Sequence, residues 1–356
     1  MVKKTGVLLL NLGSPDSTEV GDVRRYLREF LMDGRVLDAP KPIRWMVVNA
    51  FILPFRPKNS AEAYSRVWTD QGSPLIVTSR NVRDLLDRED CPVFLAMNYG
   101  SPSIPDEVAK IRAAGVTDLF IMPQYPHYAM SSYETVVVKA MSCLKKELPG
   151  VHTTLLQPFY QDDDYLDAVE TVMRPYLTKQ PDLVLFSFHG IPERHLRKSD
   201  PSHAHCLESE DCCENCHPAH ATCYRHQCFT TAHKVAAKAG LRSDQYRISF
   251  QSRLGRDPWL TPYTDKTLES LPEEGIRRLL VICPAFVTDC LETLEEISME
   301  GKEIFEEAGG EWFEQIPCLN DHPAWIEVLM NRINRWRNGV LSSEQSPKQA
   351  APSTIT

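Results

Sequence analysis

Hydrophobic and polar positions along the chain form short apolar runs that alternate with longer amphipathic stretches. The short runs predict strands at residues 6–12, 93–97, 119–123, 153–157, 183–188, 246–250 and 279–283. In the longer stretches an apolar face returns every three to four residues, which predicts helices that include 19–30, 132–148, 163–177, 230–239, 291–308 and 323–336. Strands that alternate with helices in this way indicate parallel βαβ units.

The length of 356 residues suits two such units. We place the division near Pro149 and Gly150, which gives an N-terminal domain of residues 1–150 and a C-terminal domain of residues 151–340. The expected fold class is α/β, with two similar doubly wound, Rossmann-like parallel sheets covered by helices on both faces. Residues 341–356 are rich in Ser, Pro, Gln and Ala and lack periodicity, so this tail is expected to be disordered.

Composition narrows the class of protein. Hydrophobic residues make up 42% and charged residues 24%, which is the balance of a globular chain and excludes a disordered one. The net charge of −9 gives no reason to expect a nucleic acid partner. The apolar run after Lys4 stops at Asn11 without a small-residue cleavage site, and no run reaches the ~20 apolar residues of a spanning helix. We expect a cytoplasmic protein that is soluble or at most peripheral to a membrane.

The ends of the predicted strands carry a consistent kind of sequence. Ligands of open parallel sheets bind beyond the carboxyl ends of the strands. Here those ends collect polar, aromatic, Gly and Pro residues in segments 11–15, 124–126, 189–192, 251–253 and 284–289. No glycine run resembles a dinucleotide or phosphate-binding fingerprint. A cleft at this edge of the sheets is therefore the predicted binding site.

Two groups of titratable residues follow these strands. His189 comes directly after an apolar strand, where its imidazole would serve as a base or metal ligand, or simply as a hydrogen-bonded loop residue. Glu292, Glu296 and Glu300 are spaced by four residues on one face of a predicted helix. On a solvated face their spacing has no special meaning, whereas along a cleft three carboxylates in file form a route for a cation or for protons.

The eleven cysteines are unevenly placed. Five lie among apolar neighbours and are interpreted as small core residues: Cys91, Cys143, Cys283, Cys290 and Cys318. The other six fall within the Cys-rich insert, residues 203–228: Cys206, Cys212, Cys213, Cys216, Cys223 and Cys228. A metal site is the preferred interpretation, because no export signal supports disulfides. An iron–sulfur cluster needs four thiolates, and zinc would also accept the histidines of the insert.

Two apolar features complete the sequence. Residues 44–55 are strongly apolar and form either a buried helix or an exposed apolar lip, which would contact a flat apolar ligand or a membrane. Trp259 stands in a loop, where it acts either as a packing residue or as a binding surface.

Together these motifs resemble the ferrochelatase family over residues 5–336. The resemblance rests on Leu10-Asn11-Leu12-Gly13-Ser14-Pro15, Gly72-Ser73-Pro74, Gln124-Tyr125-Pro126, Ser187-Phe188-His189-Gly190-Ile191-Pro192, Phe250-Gln251-Ser252-Arg253 and Asp289-Cys290-Leu291-Glu292-Thr293-Leu294. It is nearest to the proteobacterial type. It implies two similar doubly wound domains with a porphyrin between them, and a lyase that inserts Fe²⁺ into protoporphyrin IX to make protohaem, with release of two pyrrole protons.

The resemblance also implies roles for residues of this chain. His189 matches the active-site histidine and Glu292 its partner carboxylate, so both would meet the Fe²⁺ substrate, while Glu296 and Glu300 match the acidic path behind them, on a helix that is partly π-type in relatives. The implied porphyrin-binding residues are Leu12, Tyr64, Ser73, Tyr99, Tyr125, Trp259 and Phe286. A leucine at position 12 favours protoporphyrin over coproporphyrin, since coproporphyrin-using relatives usually carry tyrosine there.

A subset of bacterial members carries a [2Fe-2S] cluster on an internal insert that resembles the one here. Four of five cysteines are then the implied ligands: Cys206, Cys212, Cys213, Cys216 and Cys223. A peripheral membrane contact and a protoporphyrinogen-oxidising partner are further expectations. Three alternatives stay open: a chelatase for another tetrapyrrole or metal such as cobalt or nickel, a non-catalytic iron–sulfur or haem-binding protein, and a zinc-bound insert.

Overall fold

The structure is a computed structural model that describes residues 3–253, 255 and 257–340. The first half of the chain contains β1 (Thr5–Asn11), α1 (Val20–Leu31), α2 (Lys41–Met46), α3 (Arg56–Val67), α4 (Pro74–Leu86), β2 (Val93–Met97), α5 (Ile104–Ala113), β3 (Asp118–Pro123), α6 (Thr135–Glu147), β4 (His152–Leu155) and α7 (Asp163–Leu177). The second half contains β5 (Leu183–His189), α8 (Glu193–Ser199), α9 (Tyr224–Lys238), β6 (Tyr246–Gln251), α10 (Thr264–Ser270), β7 (Arg278–Ile282), α11 (Leu291–Leu294), α12 (Lys302–Glu307), β8 (Trp312–Gln315) and α13 (Pro323–Arg337).

The strands form two four-stranded parallel sheets with the same order, β2-β1-β3-β4 and β6-β5-β7-β8. This confirms the expected pair of doubly wound α/β domains. In such an order the connections leave the first strand in opposite directions, so a crevice opens between β1 and β3 and again between β5 and β7. The residues that follow these four strands are therefore the ones that each sheet presents to a ligand.

The predicted domain boundary is placed too early. Strand β4 pairs in parallel with β3, with His152 opposite Asp118 and Leu155 opposite Ile121. It belongs to the first sheet because its backbone hydrogen bonds are made there, so the chain enters the second domain after Leu155 and not near Gly150. The predicted disordered tail, residues 341–356, lies outside the described residues.

The last helix joins the two domains. Trp336 of α13 stacks on Phe120 of the first sheet with ring centroids 5.2 Å apart, and its Nε1 donates to Thr154 Oγ1 at 3.0 Å. Trp325, on the same helix, is 1% exposed and packs against Phe159 and Tyr165. The apolar face of α13 thus closes one buried cluster that continues from the first sheet to the second.

Two predicted helices differ from the structure, and one strand was not predicted. The helix expected over 291–308 is α11, then a π-helix at Glu296–Gly301, then α12. The helix expected over 132–148 begins with a π-helix at Met130–Glu134 before α6. The sequence pattern also missed β8, a four-residue strand whose alternation is too short to stand out. Within the described part of the chain, no helix has the length and apolar character needed to cross a bilayer.

Candidate active site

His189 is the last residue of β5, at the crevice between β5 and β7. Its Nδ1 lies 2.6 Å from the backbone oxygen of Gly190. A carbonyl oxygen only accepts, so Nδ1 carries the proton, and in the neutral imidazole Nε2 keeps its lone pair. The ring is half-buried and meets Phe286 edge-on at a centroid distance of 6.3 Å. The arrangement leaves one basic nitrogen available to a ligand.

Glu292 lies in the first turn of α11, on the chain that leaves β7. Asp289 anchors the start of this helix, since its carboxylate accepts from Thr293 Oγ1 at 2.8 Å and from Asn320 Nδ2 at 2.6 Å. The backbone oxygen of Glu292 accepts from the side-chain amide of Gln251 at 2.8 Å. Strands β5, β6 and β7 therefore place His189, Gln251 and Glu292 at one edge of the sheet.

Glu296 lies behind Glu292 at the start of the π-helix. Its Oε2 accepts a short hydrogen bond from Ser252 Oγ and lies 3.5 Å from Gln251 Nε2. Burial raises the pKa of this carboxyl, and the charge of Glu292 raises it further, against the Ser252 hydrogen bond and the nearby His189. Glu296 is thus a carboxyl that holds a proton more readily than an exposed glutamate.

Glu300 is exposed near the end of the π-helix. The π-helix makes Glu300 N donate to Glu295 O at 3.0 Å, five residues back, instead of the usual four. Glu296 and Glu300 line one cavity of about 310 Å³, together with Ser252, Arg253 and Asp265. Because Arg253 forms a bidentate pair with Asp265, at 2.7 and 2.8 Å, its charge is neutralised beside the carboxylates.

Tyrosines of the first domain approach Glu292 from the opposite side. Tyr64 of α3 and Tyr26 of α1 are both buried and pack edge to face at 6.3 Å. Burial, followed by the charge of Glu292, raises the pKa of Tyr64. Tyr125, after β3, has its pKa raised by burial and then by Cys290 and Glu292, and its buried hydroxyl has no hydrogen-bond partner among the described residues. Both domains therefore contribute to the surroundings of one carboxylate.

The other implied porphyrin residues lie around this point in different ways. Leu12 is half-buried and packs against two apolar clusters, one that continues from the first sheet to the second and one around α1 and α3. Trp259 forms a β-bridge with Pro192, next to the His189 loop. Ser73 is buried at the start of α4. Tyr99 is 1% exposed, and its hydroxyl donates to Asp33 at 2.9 Å, so this side chain is held inside the first domain.

Some residues near the site were not assigned a role from the sequence. Gln251 and Ser252 belong to the Phe250-Gln251-Ser252-Arg253 motif, and their position at the end of β6 was the available signal. Glu295 gave no signal: it is buried by the π-helix and pairs with Arg66 of α3 at 2.9 Å. That ion pair connects the acidic helix to the first domain, and only the folded chain brings the two residues together.

The Cys-rich insert gathers four thiols. Cys206, Cys212 and Cys223 are each 2–3% exposed, and Cys213 is half-buried. Cys212 Sγ and Cys213 Sγ are 4.0 Å apart, and Cys223 lies close enough to Cys213 and Cys206 to influence the pKa values of the thiols. Cys216 is exposed and stands apart from this group. We call Cys206, Cys212, Cys213 and Cys223 the thiol cluster.

Histidines support the backbone of the thiol cluster. His205 Nε2 and His220 Nε2 lie 2.8 and 3.0 Å from the oxygen of Cys212, and His226 Nδ1 lies 2.9 Å from that of Cys213. Such bonds use the ring nitrogens as donors to carbonyls. Over the described residues, no three His, Cys, Asp or Glu side chains already stand in the geometry of a metal-ion site.

The apolar segment 44–55 forms an exposed lip. Large apolar side chains that face solvent here are Ile43, Trp45, Met46, Phe51 and Phe55, which are 48–74% exposed. Val48 and Leu53 of the same segment are buried against α1 and α3. The segment is therefore an open apolar surface and not a buried helix. We call residues 43–55 the apolar lip.

Asp38 fastens the loop before the apolar lip to the second domain. Its side chain is 6% exposed and accepts from Arg194 Nε at 2.6 Å and, more closely still, from Lys198 Nζ, both on α8. These two donors lower the pKa of Asp38 to about 2, against its burial. Because α8 follows the His189 loop, this ion pair connects the lip with the end of strand β5.

The family of the chain is shown by its relatives. The family model described as Ferrochelatase matches residues 4–336. A ferrochelatase from Opitutus terrae is 56% identical over 334 residues, which cover 93% of this chain and 97% of the relative. A ferrochelatase from Stutzerimonas stutzeri is 48% identical over 332 residues, which cover 92% of this chain and 97% of the relative.

A solved structure supports the fold. SirB from Bacillus subtilis with Fe3+ aligns with a TM-score of 0.54 at 10% identity, over 95% of this chain and 99% of that one. At this identity the similarity concerns the arrangement of strands and helices alone.

Proposed function

This chain belongs to the ferrochelatase family, whose members insert Fe²⁺ into protoporphyrin to make haem, and we propose that His189 and Glu292 perform the insertion. The free Nε2 of His189 carries this proposal, because the bond from Nδ1 to Gly190 O leaves that nitrogen basic. The reaction breaks two pyrrole N–H bonds, releases two protons and forms four Fe–N bonds without a change in oxidation state. It therefore needs a proton acceptor beside the ring and a path for charge.

His189 acts as the acceptor of the pyrrole protons. Its Nε2 is the basic atom at the crevice between β5 and β7, where a ring bound between the domains would lie. Glu292 stabilises the imidazolium that forms, because an opposite charge nearby favours the charged state of histidine. Glu296, whose pKa is raised by burial, takes protons from this pair more readily than an exposed glutamate would. Glu300 then opens the route to solvent, and the same path suits Fe²⁺ on its way in.

The porphyrin is proposed to lie between Leu12 on one side and His189 on the other. Phe286 and Trp259 flank His189, while Tyr64 and Tyr125 enclose the side of Glu292. A porphyrin held by these groups and bent toward His189 exposes the nitrogen lone pairs to the metal. Leu12 leaves an apolar surface against the ring, which favours protoporphyrin IX as substrate. Ser73 and Tyr99 are buried, so they are proposed to support the pocket from inside the first domain and not to form its open surface.

The experiment is Fe²⁺ insertion into protoporphyrin IX by wild type and His189→Ala, with porphyrin binding measured separately by fluorescence. We expect insertion to be abolished and binding to be retained. His152→Ala, at an exposed histidine of β4, is the matched control and should insert iron at the wild-type rate. Retained turnover in His189→Ala overturns the assignment. A panel with Co²⁺, Ni²⁺ and coproporphyrin tests the alternative of another chelatase.

The thiol cluster is proposed to hold a [2Fe-2S] centre. Such a centre needs four thiolates, and the insert brings four cysteine thiols near one another while Cys216 stays exposed. The residues present therefore fit the group, with Cys206, Cys212, Cys213 and Cys223 as ligands. Since the net reaction transfers no electrons, the centre would have a structural or iron-sensing role. A zinc ion bound to the same insert is the competing occupant.

Anaerobic purification with iron and sulfide analysis tests the cluster. We expect a brown protein with about two irons and two sulfides per chain. Cys216→Ser should keep this content, and Cys213→Ser should lose it. A colourless protein that contains zinc would contradict the [2Fe-2S] proposal and leave the chelatase proposal untouched.

The apolar lip is proposed to rest on a membrane surface in the cytoplasm. Lys41, Arg56 and Lys58 flank its exposed apolar side chains and are themselves exposed, which is the composition that binds anionic lipid headgroups. There the enzyme would receive its apolar substrate from a protoporphyrinogen-oxidising partner.

A further inference from the structure

Arg225 is the single Lys or Arg residue between Lys198 and Lys234. Over the same stretch the insert carries exposed carboxylates at Glu208, Glu210, Asp211 and Glu214. An arginine in such surroundings would ordinarily pair with one of them. Among the residues that the structure describes, however, Arg225 forms no salt bridge with a carboxylate, and its guanidinium faces elsewhere.

The guanidinium of Arg225 faces sulfur. Its Nη1 lies 3.6 Å from Cys212 Sγ and 3.5 Å from Cys213 Sγ, and 3.5 Å from the backbone oxygen of Glu210. The side chain is half-buried, and its guanidinium carbon lies 4.8 Å from the centre of the Phe229 ring. The Phe229 contact holds the plane of the guanidinium, so both thiols of the adjacent cysteines meet the same nitrogen.

We propose that Arg225 is the charge-compensating residue of the thiol cluster, donating hydrogen bonds to the thiolates of Cys212 and Cys213 when the metal centre is bound. The inference rests on the proposed [2Fe-2S] occupancy. Four thiolates around two ferric irons and two sulfides leave a net charge of −2 in a half-buried site. A fixed cation against two of the sulfurs offsets that charge. Hydrogen bonds to cluster sulfurs also raise the reduction potential, because they stabilise the extra negative charge of the reduced state.

The test compares wild type, Arg225→Gln and Arg225→Lys, each purified anaerobically with iron and sulfide analysis. The midpoint potential is measured by titration with dithionite and redox mediators, and iron loss is followed with an excess chelator. Arg225→Gln should have a more negative potential and release iron about tenfold faster, which is the effect typical of groups that support metal ligands. Arg225→Lys keeps the charge and should lie between the two. Arg242→Gln, at an exposed arginine after α9 that pairs with Asp244, is the matched control and should match wild type.

The outcomes separate this inference from the proposal beneath it. Wild-type protein without iron and sulfide overturns the [2Fe-2S] assignment, and the role of Arg225 falls with it. Wild-type protein with a full cluster, together with an unchanged potential and iron-release rate in Arg225→Gln, overturns the role of Arg225 alone. If Arg225→Gln binds no cluster, the test relies on the midpoint potential and the iron-release rate of Arg225→Lys. Values equal to those of wild type would contradict the proposal.

Discussion

The side-chain amide of Gln251 donates to the backbone oxygen of Glu292 at 2.8 Å, and its other contacts include Ser187 Oγ at 2.8 Å. Ser187 lies two residues before His189 on β5. One buried amide thus spans the strand that carries the histidine and the helix that carries the carboxylate. The relative position of His189 and Glu292 therefore depends on this side chain.

Replacing Gln251 with Leu should lower kcat by about 10–100-fold, since small displacements of positioned groups carry costs of this size. The KM for protoporphyrin IX should change little, because Gln251 contacts the helix start and not the proposed ring site. Steady-state kinetics with separate kcat and KM values check this. Gln71→Leu, at an exposed turn, serves as control. A lower kcat that is accompanied by a lower melting temperature would indicate a general structural defect and not a positioning role.

Glu296→Gln should raise the melting temperature at pH 8, by about a few degrees. Burial raises the pKa of Glu296 in the folded protein, so its ionised form costs stability. The benefit of the neutral state is complete below the unfolded pKa near 4.5 and is lost as pH rises through the folded value. The variant should therefore have a higher melting temperature than wild type at alkaline pH, and the two melting temperatures should converge below pH 4.5. A constant difference at all pH values would contradict the role of ionisation.

Acidification should destabilise the protein through His127. This residue is 2% exposed, donates or accepts one bond with Thr231 Oγ1 at 2.9 Å, and has its pKa lowered to about 3 by burial. Above pH 6.5 both states are neutral, and between pH 6.5 and 3 only the unfolded chain binds the proton. As the pH falls through this interval, the protonation of this group should lower the unfolding free energy by about 1.4 kcal/mol per pH unit.

Asparagine does not titrate, so His127→Asn removes this proton-binding group from the unfolded chain. The slope of unfolding free energy against pH should then be flatter between pH 6 and 4. Urea unfolding at a series of pH values measures it. His203→Asn, at an exposed histidine, should leave the wild-type slope in place. Parallel curves for wild type and His127→Asn would show that other groups govern the acid response.

Asp38→Asn should destabilise the protein by about 2 kcal/mol, because two charge-assisted hydrogen bonds from α8 lose their acceptor charge. The same change should speed amide hydrogen exchange in α2, which begins three residues later. Urea unfolding and hydrogen exchange check both effects. Asp16→Asn removes an exposed pair with Arg25 at 3.6 Å and should cost less than about 0.5 kcal/mol. Unchanged exchange in α2 would argue against a connection between Asp38 and the lip.

The double substitution Phe51→Asp and Phe55→Asp should weaken sedimentation with vesicles that contain phosphatidylglycerol. These two rings are 64% and 74% exposed and would lose their apolar contact with the lipid. Leu85→Asp, at an exposed leucine of α4, controls for a general change of charge. Equal partitioning of all three proteins would contradict membrane contact through the apolar lip.

Much of the fold follows from patterns that are visible in the sequence. Strand β5 is buried on both faces from Leu183 to Phe188, so its sequence is apolar apart from Ser187, whose hydroxyl donates to the side chain of Gln251, and the run ends at His189. The domain boundary was predicted too early because of strand β4. Its residues are exposed or half-buried, and it belongs to the first sheet only through its pairing with β3. Pairing between strands is a long-range choice that no local pattern records.

The candidate site likewise has features that the sequence predicts and features that only the fold shows. The sequence by itself determined the candidate residues for the chemistry: a histidine at a strand end, glutamates four apart, and cysteines concentrated in one insert. It did so because local periodicity and residue type act over a few positions. Only the tertiary structure decided that Gln251 connects His189's strand to Glu292, that Arg66 neutralises Glu295, and that Cys216 is excluded while Arg225 faces Cys212 and Cys213. Those choices depend on close packing between segments far apart in the chain, where burial and charge select partners that spacing cannot show.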